Sequence, residues 1–162
     1  MPKLTRLDVS GTEYLTWLGY QLPSTLRWLG SDGAELTPLK DSGVHALPPL
    51  TSLTLYDLRA FEIGAVAVFK QVQQLFLCDF HVDLWLFDNV CQRLGEPGVL
   101  PSLTLMRVEH HPKPWHVHKE GHNALYRARC EALVLRRSAL RMEFVVCEHG
   151  IRGQLVVHAL YP

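Results

Sequence analysis

The amino-acid sequence predicts an α/β fold, a parallel sheet of about six strands joined by helical or irregular return segments and wound as an irregular solenoid. Three observations predict it. Six segments share the pattern apolar-x-x-apolar-x-apolar. Their first positions fall 22, 24, 22, 31 and 27 residues apart, a periodicity that marks stacked supersecondary units. A proline-led phrase, LPSTL at Leu22, LPPL at Leu47 and LPSL at Leu100, introduces three of them, and proline suits a strand entrance because it cannot donate to a ladder.

In chain order, LTRLDV from Leu4 and LRWLGS from Leu26 come first, the second breaking the pattern at Ser31. LTSLTL from Leu50 follows, then residues 61–72, whose apolar side chains recur three and four apart and read as helix. VQQLFL from Val72 precedes a second helix over residues 83–94, capped by Asp83 and ended by Gly95 and Pro97. After LTLMRV from Leu103, a shorter helix is expected over residues 122–130 with Asn123 as its cap, then a sixth strand, CEALVL, from Cys130. The segments RMEFVVC and QLVVHAL, joined by EHGIRG, read as a hairpin or as two final strands that close the stack. The expected division is therefore a repeat region over 1–140, with a strand hairpin over 141–162 capping the same domain.

The LxxLxL strands resemble leucine-rich repeats. The stretch LPPLTSLTLYDLRAFEIGAVAVFKQVQQLFLCDF resembles the divergent repeats of fungal F-box-type proteins. That resemblance implies a substrate-recognition surface of a ubiquitin-ligase adaptor, although no segment here resembles the F-box itself. Regular repeats also carry an asparagine ladder after each strand, and the corresponding places hold Thr12, Ala34, Leu58, Phe80, His111 and Ser138. The turns are thus expected to rest on apolar packing or irregular bonds. With the first strand starting at Leu4, the chain is expected to be a fragment of a longer architecture or to have its first edge covered by a partner.

Sixteen basic and sixteen acidic residues cancel, which argues against nucleic acid as a partner. No apolar run reaches the roughly 18–20 residues of a membrane span, and the N-terminus lacks the apolar run of a secretory signal. Cys78, Cys91, Cys130 and Cys147 are widely spaced in apolar stretches, as expected of buried thiols in a reducing compartment, cytoplasmic or nuclear.

Side chains alternate along a strand, so with the motif leucines inward the intervening residues share the other face. The candidate partner-binding residues are accordingly Arg6, Asp8, Trp28, Asp32, Tyr56, Gln74, Phe76, Arg107, Glu109 and Arg136. Trp28, Tyr56 and Phe76 lie on three consecutive strands and would form an aromatic stripe, either exposed for binding or covered as core. The stretch HHPKPWHVHKEGH, residues 110–122, gathers five histidines, and His116, His118 and His122 raise the alternative of a metal-binding protein or metal-dependent enzyme. No H-E-x-x-H, C-x-x-C, phosphate-loop or G-x-S-x-G pattern accompanies them. The expectation is a protein-interaction module, not an enzyme, with no cofactor and no metal ligand set, acting on another protein as a monomer or within a larger assembly. A further alternative is an inactive fragment of a larger repeat protein.

Overall fold

The computed structural model describes residues 3–9, 22–32, 47–56, 63–80, 84–110 and 120–146. Six strands, β1 (Arg6–Asp8), β2 (Trp28–Asp32), β3 (Ser52–Tyr56), β4 (Gln74–Phe80), β5 (Leu105–His110) and β6 (Arg141–Val146), form one parallel sheet in chain order. Helix α1 (Ile63–Val66) lies between β3 and β4, α2 (Leu84–Leu94) between β4 and β5, and α3 (Glu120–Arg136) between β5 and β6. The sheet does not close into a barrel: β1 and β6 stand at its opposite ends.

The sequence motif sets the strand register. Arg6 pairs with Trp28, Trp28 with Ser52, Ser52 with Gln74 and Gln74 with Leu105, so neighbouring strands are offset by the spacings of the first five motifs. With that register the alternate positions Leu29, Leu53, Leu55, Leu75, Leu77, Met106, Val108, Met142 and Phe144 fall on one face, and all are buried. Ser31 occupies one of these inward places, in register with Leu55, and is fully buried. The helices cover this face through Ile63, Val66, Phe87, Val90, Leu94, Tyr126 and Leu133. Phe87, Tyr126 and Phe144 interlock where α2, α3 and β6 meet, with centroids 5.0, 5.6 and 6.2 Å apart. Edge-to-face and offset ring pairs of this kind add to the burial energy of the rings themselves.

Strands β2, β4 and β5 are entered through a similar turn. The N–H groups of Leu26, Val72 and Leu103 donate to the carbonyls of Pro23, Phe69 and Leu100, three residues earlier, at 2.9, 3.2 and 3.0 Å. The first apolar place of these three motifs is thereby turned under the sheet, and all three side chains are buried. Units are also tied to one another at this end. The carbonyl of Thr5 accepts from Arg27 and Trp28, that of Arg27 from Thr51 and Ser52, that of Thr51 from Gln73 and Gln74, and that of Gln73 from Thr104 and Leu105. Hydroxyls reinforce the series: Thr25 Oγ1 donates to Leu4 O at 2.6 Å, Thr51 Oγ1 to Arg27 O at 3.3 Å, Ser102 Oγ to Lys70 O at 2.9 Å and Thr104 Oγ1 to Gln73 O at 3.2 Å. Polar bonds thus link successive units at the strand entrances, at the opposite end of the strands from the places an asparagine ladder would occupy.

Three expectations are corrected. The helix expected over 61–72 shrinks within the described residues to the single turn of α1, because residues 67–72 are needed for the turn that leads into β4. The helix expected over 122–130 runs on to Arg136 and absorbs CEALVL, so that segment is not a strand. The sixth strand is instead Arg141–Val146, parallel to β5 and in register from Leu105↔Arg141 to His110↔Val146. The segments EHGIRG and QLVVHAL lie outside the described residues.

The segment between α2 and β5 is held from the far side of α3. Arg137 donates through Nη1 to Leu94 O and Val99 O at 3.0 and 3.1 Å, and through Nη2 to Leu100 O at 2.5 Å. Partial burial pushes its guanidinium pKa down from the ordinary value. Leu100 itself adopts φ of 43°, a left-handed conformation that few leucines take, and its carbonyl receives both Arg137 and the Leu103 N–H.

Candidate functional site

The face of the sheet turned away from the helices carries the candidate site. Cross-strand register arranges its residues in rows. One row is Arg6, Trp28, Ser52, Gln74, Leu105 and Arg141. The next is Asp8, Gly30, Thr54, Phe76, Arg107 and Glu143. Farther along the strands, Asp32 is in register with Tyr56 and Tyr56 with Cys78, while Glu109 pairs with Val145.

At the β1–β3 end the side chains organise themselves. The Arg6 guanidinium sits 4.1 Å from the centroid of the Trp28 ring, a cation–π contact. Tyr56 Oη donates to Asp8 Oδ2 at 3.5 Å, reaching across β2. It can do so because the residue between them is Gly30. A Cβ there would come within 2.7 Å of Trp28 Cη2 and 2.8 Å of Asp8 Oδ1, so the absent side chain makes room for both. Thr54 on β3 is only 6% exposed and forms the floor beside this cluster.

The β5–β6 end is ionic. Arg107 pairs with Glu109 at 2.8 Å and lies 3.9 Å from Glu143, which also receives Arg141 at 2.9 Å. These groups retain 21–58% of their side-chain exposure, so each pair contributes little to stability and the alternating charges remain accessible to a ligand. Gln74, Phe76 and Cys78 lie between the two ends on β4.

Of the residues expected to bind a partner, Arg6, Asp8, Trp28, Tyr56, Gln74, Phe76, Arg107 and Glu109 are brought together on this face, and Asp32 stands at its register position on β2. Arg136 is not: it ends α3, with its Cδ 3.4 Å from where a Gly95 Cβ would stand. Arg141 and Glu143 take the places assigned to the CEALVL segment. Their signal was the period-two alternation of Arg141, Glu143 and Val145 with Met142 and Phe144. The expected aromatic stripe is also corrected. Trp28, Phe76 and Tyr56 belong to three successive rows, because register places Ser52, not Tyr56, beside Trp28.

His116 and His118 lie outside the described residues, and His122 belongs to α3. Among the described residues, no three His, Cys, Asp or Glu side chains converge as a metal site. No described helix is long and apolar enough to cross a membrane.

No protein-family model matches the chain, and no solved structure matches it. Among curated proteins it is similar to "Putative esterase sll0410" of Synechocystis sp. (strain ATCC 27184 / PCC 6803 / Kazusa), 35% identical over 97 residues. The match covers 59% of this chain and 54% of the relative, so the chain spans about half the length of the curated protein it matches. The expectation that the chain is not an enzyme is overturned by this relative, whose name describes an esterase. No G-x-S-x-G pattern stands in the sequence to signal such an activity.

Proposed function

We propose that the face formed by Arg6, Asp8, Trp28, Tyr56, Phe76, Arg107 and Glu109 is a recognition surface for another protein, carried on an irregular leucine-rich-repeat solenoid. The observation that carries this reading is the pre-set cluster at the β1–β3 end. There a tryptophan, a tyrosine, an arginine and an aspartate are fixed against one another over a glycine on the sheet surface. Aromatic and arginine side chains held in one geometry have little conformational entropy left to lose on binding. The solenoid reading is supported by the chain-order parallel sheet and by the agreement of motif spacing with register. Within that reading, the resemblance to F-box-type repeats makes the partner a substrate presented to a ubiquitin ligase, with the F-box supplied outside these residues.

The test is affinity capture followed by mass spectrometry, with Trp28→Ala and Asp8→Asn variants alongside the unaltered chain. The expected outcome is a specific partner whose binding weakens at least about tenfold in either variant, a loss of about 1.4 kcal/mol. The melting temperature should move by no more than a few degrees, since Trp28 is half-buried and Asp8 exposed. Undiminished capture by both variants would remove this face from consideration.

The esterase-named relative favours a second reading, ester hydrolysis. Purified chain hydrolysing p-nitrophenyl acetate faster than the same protein after heat unfolding supports it. Equal rates count against it.

A further inference from the structure

The interface between α2 and α3 holds two thiols. The helices run in the same direction: Phe87 meets Tyr126 with ring centroids 5.0 Å apart, and Asp88 Oδ1 meets Arg129 Nε at 2.9 Å. Farther along, Gly95 approaches Arg136. Residues four apart lie one above the other on a helix. One turn beyond Phe87 is Cys91, and one turn beyond Tyr126 is Cys130. The two cysteines therefore face each other across the interface. Both are buried, at 5% and 2% exposure, and both are reduced. Cys130 is close enough to act electrostatically on Cys91.

We propose that Cys91 and Cys130 are an oxidisable dithiol pair, converted to an intramolecular disulfide that pins α2 to α3 by exchange with a small-molecule disulfide. One cysteine loses its Sγ proton and attacks the reagent's S–S bond, forming a mixed disulfide and releasing one reduced thiol. The second thiolate attacks the protein sulfur of that mixed disulfide, forming the Cys91–Cys130 bond and releasing the second reduced thiol. Two electrons and two protons leave the protein, and one reagent disulfide becomes two thiols.

Exchange is slow and gated. Burial pushes the Cys130 thiol up to about 12 and the Cys91 thiol up as well, so thiolate forms only when the helices part locally. Once formed, the bond closes a loop of about 39 residues that contains β5. By chain-entropy arguments it raises the melting temperature by roughly 10 °C.

The test uses the full chain with Cys78→Ser and Cys147→Ser, equilibrated in glutathione buffers of rising oxidised fraction and quenched in acid. Peptide mapping, maleimide counting of free thiols and thermal unfolding are read together. Expected are the loss of both remaining thiols in one step, a single 91–130 linked peptide, a melting temperature raised by roughly 10 °C, and reversal by dithiothreitol. Cys91→Ser or Cys130→Ser in the same background should abolish all four changes. Two free thiols at the most oxidising poise, mixed disulfides with glutathione alone, or linkage between chains would overturn the proposal. Should the double-serine background fail to fold, the same peptide mapping on the unaltered chain decides between these outcomes.

Discussion

LTLMRV at Leu103 and CEALVL at Cys130 share one apolar pattern and fold into opposite structures. In the first, Leu103, Met106 and Val108 are all buried, because period-two alternation in β5 sends places four and six to the same side. In the second, Cys130, Leu133 and Val134 are buried while Leu135, the sixth place, is 74% exposed. Places one, four and five form a helical stripe, continued backwards by Tyr126. The pattern apolar-x-x-apolar-x-apolar satisfies both templates over six residues. Flanking sequence separates them: a proline-led turn before Leu103, and the uninterrupted HNALYRAR before Cys130.

The largest effect should come from testing that contrast directly. Leu133→Ala removes a side chain that is 2% exposed and should cost about 2–5 kcal/mol in denaturant unfolding, whereas Leu135→Ala should change stability by less than about 0.5 kcal/mol. Equal losses at the two positions would restore a strand there.

Next is Arg137, which follows α3 and bonds three carbonyls of the α2–β5 connection. Arg137→Met keeps much of the stem and deletes the donors, and should cost about 1.5–3 kcal/mol. Hydrogen exchange should quicken at Leu103, whose N–H bonds the same Leu100 carbonyl. A variant as stable as the original would show that these bonds only replace solvent.

The last effect is a pH dependence, slight near pH 9 and growing as pH rises. Cys130 keeps its proton in the folded chain up to about 12, against an ordinary value of 9.0. Between those values the folded state binds the proton and the unfolded state does not. The resulting stability is complete below pH 9 and is lost as pH rises towards 12, by up to about 1.4 kcal/mol per pH unit. Comparing unfolding of the original chain and Cys130→Ala from pH 8 to pH 10.5 isolates the Cys130 part of this slope: the variant should fall less steeply above pH 9, keeping only the part due to the raised Cys91 thiol. Parallel curves for the two proteins would contradict it.

The same comparison explains how legible the site was. Eight of its residues follow from motif register alone, since knowing which leucines point inward decides what lies between them on the other face. Arg136 was misassigned and Arg141 and Glu143 missed for one reason, the strand reading of CEALVL. The Gly30 gap, through which Trp28 and Asp8 lie over the sheet and Tyr56 reaches Asp8, had no signature in the motif at all.

Local pattern determined the strand spacing, the inward leucines and the order of the first five strands, because a buried face of period two tolerates only one register. It could not decide between strand and helix at Cys130, nor align the aromatics of the second face. Those depended on which segment found a neighbour. Arg141–Val146 completes the ladder of β5, while residues 120–136 bury a helical stripe against α2, and only the packed chain brings those partners into reach.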